Sequence, residues 1–261
     1  MTTLNGFRQF GHGPHKVIAL NGWFGSSADW TALTPALDAE RFSYAFFDYR
    51  GYGLSRDADG AFTFDEVARD VLALADHLDW PRFSLIGHSM GGMAMQRVLL
   101  AAPERIVNMA GVSAVPACGS RMDETRLAMF SACIDDVAKR AGIIHFSTGS
   151  RLASPWSTHL AQLSMRDSRR EAFAGYLPQW ATGDFAAQVE GNPVPVKLFV
   201  GEHDPTITTE LMTRTWLAWY PNATLETLRN AGHYAMLEVP VALATALQNW
   251  LTEPQKAMTG L

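Results

Sequence analysis

A chain of 261 residues, 48% of them hydrophobic, is long enough to bury one large core, so one domain with a lid-like insertion is the expectation. Its formal net charge of -5 offers no basic footprint for nucleic acid or anionic lipid, which favours small-molecule or protein partners. Two cysteines, Cys118 and Cys133, are too few for a disulfide framework and fit reduced thiols in a cytosolic protein, with room for one bridge at most.

Residues 1–8 lack the charged-then-apolar order of a secretory signal, and no uninterrupted apolar run approaches the ~18 residues of a membrane helix. A cytoplasmic protein without a membrane partner is expected. Short apolar runs bounded by turn residues then recur at 17–20, 44–47, 83–86, 107–112, 196–200 and 224–228, each reading as a buried strand. Between the second and third, Val67, Val71, Leu74 and Leu78 follow helical spacing, with Thr63 and Glu66 placed to form a capping box. Strands alternating with helices predict an α/β fold: a mostly parallel central sheet with helices on both faces. Residues 116–190 break that alternation, with helical patterns and aromatic residues but no convincing strand. They are assigned to a helical cap, leaving 1–115 and 191–261 as the core. Near the end, Leu243, Leu247, Trp250 and Leu251 resume helical spacing behind Pro240, and fraying is expected after Thr252.

The sharpest local signal is Gly87-His88-Ser89-Met90-Gly91, a G-x-S-x-G motif directly after an apolar strand and before Met90, Ala94, Val98 and Ala101 at helical spacing. A strand-to-helix turn tight enough to push a serine hydroxyl over the sheet edge needs strained backbone and close approach of neighbours, which the two glycines tolerate. Ser89 then sits at a helix N-terminus, where N–H groups stabilise negative charge. The bland alternative is a serine N-cap among packing glycines.

A serine hydroxyl is a poor nucleophile at neutral pH; it needs a general base, and the base needs a partner that fixes its tautomer. The run 196–200 leads into Gly201-Glu202-His203-Asp204-Pro205, placing Asp204 at a strand's carboxyl end, where open α/β sheets build sites. The final run leads into Ala231-Gly232-His233, placing His233 in the next such loop. Serine, acid and histidine thus follow the chain order of this architecture, with Glu202 the rival for the acid. Among the other histidines, His88 and His203 adjoin site residues but are expected to point elsewhere. His12, His15 and His77 read as surface or packing residues, whereas His145 and His159 fall in the cap within possible reach of a substrate. Stabilising a tetrahedral oxyanion needs backbone donors, expected from Met90 and from Trp23 in the loop after the first strand, with Phe24 as second choice.

With Phe47-Asp48-Tyr49-Arg50-Gly51-Tyr52-Gly53-Leu54-Ser55, which is similar to the D-x-R-G-x-G-x-S turn of many members, these motifs make the chain resemble the α/β-hydrolase superfamily over about residues 15–251. The resemblance implies a Ser89, Asp204, His233 triad, no metal or organic cofactor, and a pocket roofed by the cap. One departure is Asn21-Gly22 where many members carry His-Gly, although asparagine can also hydrogen-bond locally. No metal-ligand or nucleotide-binding spacing competes, and a serine at the elbow argues against relatives that need a carboxylate nucleophile there.

Fold alone does not select the reaction. Hydrolysis of a small, partly apolar carboxylic ester or related acyl compound through an acyl-enzyme is the leading expectation. A lyase or cofactor-independent oxygenase using His233 as base is one alternative, and a ligand receptor on the same scaffold is another. Phe24, Phe130, Phe146, Trp156 and Trp180 are the candidate substrate-binding residues, alongside Trp23, Met129 and Tyr176, with plain packing as the competing role. Acyl and alcohol identity and oligomeric state are not legible.

Overall fold

The computed structural model describes residues 4–252 and gathers seven strands into one sheet. In chain order these are β1 (Phe7–Phe10), β2 (His15–Leu20), β3 (Phe42–Phe47), β4 (Phe83–His88), β5 (Ile106–Val112), β6 (Val196–Gly201) and β7 (Ala223–Leu228). Their order across the sheet is β1-β3-β2-β4-β5-β6-β7, with β1 antiparallel to β3 and every other neighbouring pair parallel. The six apolar runs of the sequence are β2 to β7. Strand β1 has no counterpart among them, because its four residues are half-buried or exposed and pair only along β3.

The central strands are apolar on both faces because both faces are covered, as parallel sheets require. Successive side chains alternate between two cores. Ile18, Leu20, Phe83 and Leu85 join one core with Val67, Val71 and Leu74 of α1 (Phe64–His77) and Ala94 and Val98 of α2 (Met90–Ala101). Val17, Ala19 and Ile86 join the other with Leu243, Leu247 and Trp250 near the C-terminus. Thr63 caps α1 by accepting from the Glu66 N–H at 3.2 Å. The reciprocal half of the capping box differs from expectation: the Glu66 carboxylate accepts from the N–H groups of Ala61 and Phe62 rather than Thr63.

Between β5 and β6 lie α3 (Glu124–Ser131), α4 (Val137–Ser147), α5 (Ser154–Asp167), α6 (Arg170–Ala181) and α7 (Ala186–Val189), with no strand among these described residues. After β6 come α8 (Thr209–Arg214) and α9 (Trp216–Trp219), and after β7 come α10 (Ala235–Glu238) and α11 (Pro240–Thr252). The expectation of fraying after Thr252 concerns residues outside those described. No helix among the described residues is long and apolar enough to cross a membrane.

Chain direction explains where a site can form. From β2 the chain passes to β3 on one side, whereas β4 lies on the other, so β2 and β4 flank a topological switch point. A crevice opens beyond the carboxyl ends of such strands. The loop after β2 begins at Asn21 and the turn after β4 carries Ser89, so both enter it.

Candidate active site

Ser89 sits between β4 and α2 with φ 51° and ψ -118°, a backbone state that non-glycine residues rarely adopt. Surrounding hydrogen bonds impose it: the Ser89 N–H donates to the Val112 carbonyl at 3.1 Å, and the Ser89 carbonyl accepts from Gly92 at 2.8 Å and Val115 at 2.9 Å. The motif glycines supply clearance. A β-carbon at Gly87 would lie 2.5 Å from the Gly91 carbonyl oxygen, and one at Gly91 would lie 2.5 Å from that of Leu20.

His233 and Asp204 meet as their loops predict. The Nδ1 of His233 lies 2.7 Å from Oδ2 of Asp204, and both residues are buried. The second carboxylate oxygen, Oδ1, accepts from Thr206 N, Thr206 Oγ1 and Ile207 N, each at 3.0 Å. Burial alone would raise the Asp204 pKa, but the His233 imidazole and these donors outweigh it and hold the carboxyl below its ordinary value. An ionised Asp204 therefore faces Nδ1, which favours a proton there and leaves Nε2 as the basic nitrogen. Glu202, the rival acid, instead accepts from the Asn230 N–H and is about half exposed. His203 is also partly exposed and does not line the cavity.

His88 does not simply point away. Its Nε2 lies 2.9 Å from the His233 carbonyl oxygen, its ring centroid is 5.0 Å from that of His233, and it borders the cavity. A nitrogen facing a carbonyl must be the protonated one, so the neutral ring carries its proton on Nε2. Burial, helped by the neighbouring His233, lowers the His88 pKa to about 3. His88 thus links the residue before the nucleophile to the backbone of the candidate base. Sequence shows the adjacency to Ser89 but not this direction.

The loop after β2 is braced on three sides. Asn21 Nδ2 donates to the Gly25 carbonyl at 3.0 Å, which is the local bond available to asparagine at this position. Trp23 stacks on Phe173 with centroids 3.8 Å apart, its Nε1 donates to the Phe173 carbonyl at 2.7 Å, and the Trp23 carbonyl accepts from the Tyr52 hydroxyl at 3.0 Å. Asp48, fully buried, accepts from Ser27 N and Oγ at 2.7 Å each and from Leu54 N at 2.9 Å. The D-x-R-G-x-G-x-S turn therefore acts as a buckle for this loop, not as a reacting group. Gly22 brings the loop against the elbow, since a β-carbon there would lie 3.1 Å from the Ser89 β-carbon. Met90, at the first position of α2, has an N–H that no preceding helical turn can use.

Ser89 and His233 open into one cavity of about 1090 Å³, together with Gly22, Trp23 and His88. The geometry brings Ser89, His233 and Asp204 to one place, although no hydrogen bond joins Ser89 Oγ to His233 among the described residues. Such contacts often tighten only when substrate binds. Phe24, Phe130, Phe146 and Trp180 lie on the wall, and so does Met129. Trp156 does not: it packs edge-on against Tyr234, with centroids 5.9 Å apart, as a partly buried neighbour of the second core. Tyr176 is likewise buried against Tyr49 and Tyr52, while His145 and His159 stay off the wall. Ile207, Leu211 and Tyr234 also line the cavity, without a sequence signal that would have marked them. Both cysteines are free, and Cys133 reaches the wall.

Comparison with known proteins agrees with this architecture. Residues 16–240 match the model of the alpha/beta hydrolase fold family. The chain is 24% identical over 244 residues to 3-oxoadipate enol-lactonase 2 of Acinetobacter baylyi, covering 93% of this chain and 91% of the relative. It is 25% identical over 252 residues to a pimeloyl-[acyl-carrier protein] methyl ester esterase of Klebsiella pneumoniae, covering 92% and 95%. A hydrolase from Oleispira antarctica superposes with a TM-score of 0.85 at 18% identity, covering 96% of this chain and 95% of that one. A bromoperoxidase from Bacillus anthracis superposes with a TM-score of 0.83 at 18% identity, covering 95% of each, so a shared fold here spans differently named chemistries. By the family match over most of its length, and with the elbow, acid and histidine in their expected loops, the chain belongs to the alpha/beta hydrolase fold family.

Proposed function

We propose that the protein is a serine hydrolase that cleaves a small, partly apolar carboxylic ester through an acyl-enzyme. The observation that carries this reading is the 2.7 Å contact between Asp204 Oδ2 and His233 Nδ1 beside a cavity that Ser89 also enters. His233 Nε2 takes the Ser89 proton as Oγ attacks the acyl carbon, and the imidazolium, stabilised by Asp204, returns it to the leaving alkoxide. Water then repeats the cycle on the acyl-enzyme. The N–H groups of Trp23 and Met90 receive the oxyanion. Phe24, Phe130, Phe146 and Trp180 hold the apolar part of the substrate.

Two relatives support ester chemistry by name, since an enol-lactone and a methyl ester are both carboxylic esters. The decisive experiment follows p-nitrophenyl esters from acetyl to octanoyl under pre-steady-state conditions. A burst of one p-nitrophenol per protein molecule is expected, and its loss in Ser89→Ala. Steady turnover that survives Ser89→Ala would reject the acyl-enzyme and favour direct use of His233 as a base.

A further inference from the structure

We infer that the preferred substrate carries an anionic group on an apolar stem, remote from the reacting carbonyl. This rests on the hydrolase reading and specifies its substrate class. Although the whole chain has 26 acidic and 21 basic residues, the cavity wall includes Arg126, Lys139 and Arg214 and not one aspartate or glutamate.

The three cations come from three different helices, α3, α4 and α8, and each accompanies apolar wall residues three or four positions away. Arg126 shares its face with Met129, Lys139 with Ile143, and Arg214 with Leu211, the spacing that puts side chains on one side of a helix. Depth separates the charges from the chemistry. The side chains of Lys139 and Arg214 are 57% and 67% exposed, whereas those of His233 and Asp204 are 11% and 0% exposed. Arg126 is exposed as well. The reacting groups therefore belong to the buried part of the site, whereas the cations, together with the apolar Met129 and Phe146, form its exposed mouth.

Their own neighbours leave these cations largely available. Lys139 approaches Asp136 and Arg214 approaches Glu210, each at 3.8 Å, the outer limit of an ion pair, and both acids are substantially exposed. Arg126 has no ion pair among the described residues; its backbone N–H is capped by Asp123. Exposed pairs of this kind contribute little, so a ligand anion displaces them at small cost. Positive potential at a mouth with low-dielectric walls also concentrates anions there. A small molecule fits better than an acidic protein partner, because the cations lie on the wall of the cavity itself and its volume is of the size that holds a metabolite.

The test compares three esters at each chain length from six to ten carbons: the monomethyl ester of a straight-chain dicarboxylic acid, its dimethyl ester, and the methyl ester of the matching monocarboxylic acid. The anionic monoester is expected to show a kcat/KM about tenfold above the neutral pair at low salt, with each cation supplying roughly a twofold share. The advantage should shrink at ~0.5 M salt and fall to about one in the Arg126→Gln, Lys139→Gln, Arg214→Gln triple variant. Equal rates for the three esters, or an advantage that persists in the triple variant, overturns the inference. Calorimetry on Ser89→Ala with the same esters separates the two readings. Tighter binding of the monoester by a protein whose parent hydrolyses none of them would sink the hydrolase reading but keep this one, and equal binding would sink this one. Turnover of an acidic carrier-protein-linked methyl ester ~10²-fold above the free monoester would assign the cations to a macromolecule and overturn the small-molecule choice.

Discussion

Gly22→Ala is the sharpest probe of how the loop after β2 serves the reaction. An alanine β-carbon at this position would lie 2.8 Å from His88 Nδ1, 3.0 Å from His88 Cε1 and 3.1 Å from the Ser89 β-carbon. Restoring an ordinary separation of about 3.5 Å requires a displacement of roughly 0.7 Å between loop and elbow. His88 cannot yield cheaply, because its Nε2 is fixed to the His233 carbonyl and its ring is buried. Ser89 cannot yield either, because its own N–H and carbonyl are held by three backbone hydrogen bonds. The loop must move, and with it the Trp23 N–H, whose usefulness depends on a separation of about 2.7–3.1 Å from the oxyanion. A misplacement of that size is expected to lower kcat by ~10², with a smaller change in KM. Overpacking also costs about 1–3 kcal/mol of stability. Steady-state kinetics with a p-nitrophenyl ester, run beside thermal melts, separates the two effects. Wild-type kcat in a Gly22→Ala protein of unchanged stability would refute the assignment of this loop to the oxyanion.

Three further outcomes follow from the same structure. Asp204→Asn removes the charge opposite His233 Nδ1 and is expected to lower kcat/KM by ~10³ to 10⁴ while the protein remains folded; a loss under tenfold would put the acid elsewhere. His88 is neutral when folded, with a pKa of about 3 against 6.5 in the unfolded chain, so the unfolded state takes up the proton first. Its contribution to stability is thus full above pH 6.5 and falls as pH drops towards 3, by up to about 1.4 kcal/mol per pH unit. His88→Gln should flatten the dependence of Tm on pH across that window and keep more activity than His88→Phe, which cannot donate to the His233 carbonyl. Gly142 lies inside α4, and the β-carbon of an alanine there would meet nothing within 4 Å, so Gly142→Ala should stabilise by about 0.5–1 kcal/mol and raise Tm by ~1–4 °C, read by calorimetry.

Particular residues show why some of this was legible in the sequence and some was not. Strands β2 to β6 could be read because burial on both faces makes them continuous apolar runs such as Val17 to Leu20, whereas β1 is a half-exposed edge of four residues held by pairing that no local pattern encodes. Ser89, Asp204 and His233 announced themselves because each follows a strand into a loop, and strand ends converge on one edge of a parallel sheet. Direction was harder. His88 and Trp156 are both aromatic residues of a familiar kind, but only tertiary packing turns His88 toward His233 and Trp156 away from the cavity onto Tyr234. The cations at the mouth were invisible for the same reason, since Arg126, Lys139 and Arg214 belong to three separate helices and are unremarkable one at a time.

The proposed chemistry stands on the Ser89 hydroxyl, presented at the elbow, being the group that attacks the acyl carbon. Treating the protein with a fluorophosphonate and mapping the adduct by peptide mass spectrometry tests it most directly. A single phosphonylated site is expected at Ser89, abolished by Ser89→Ala and strongly slowed by His233→Ala. Equal labelling of the Ser89→Ala protein, or an adduct on another residue, would contradict it.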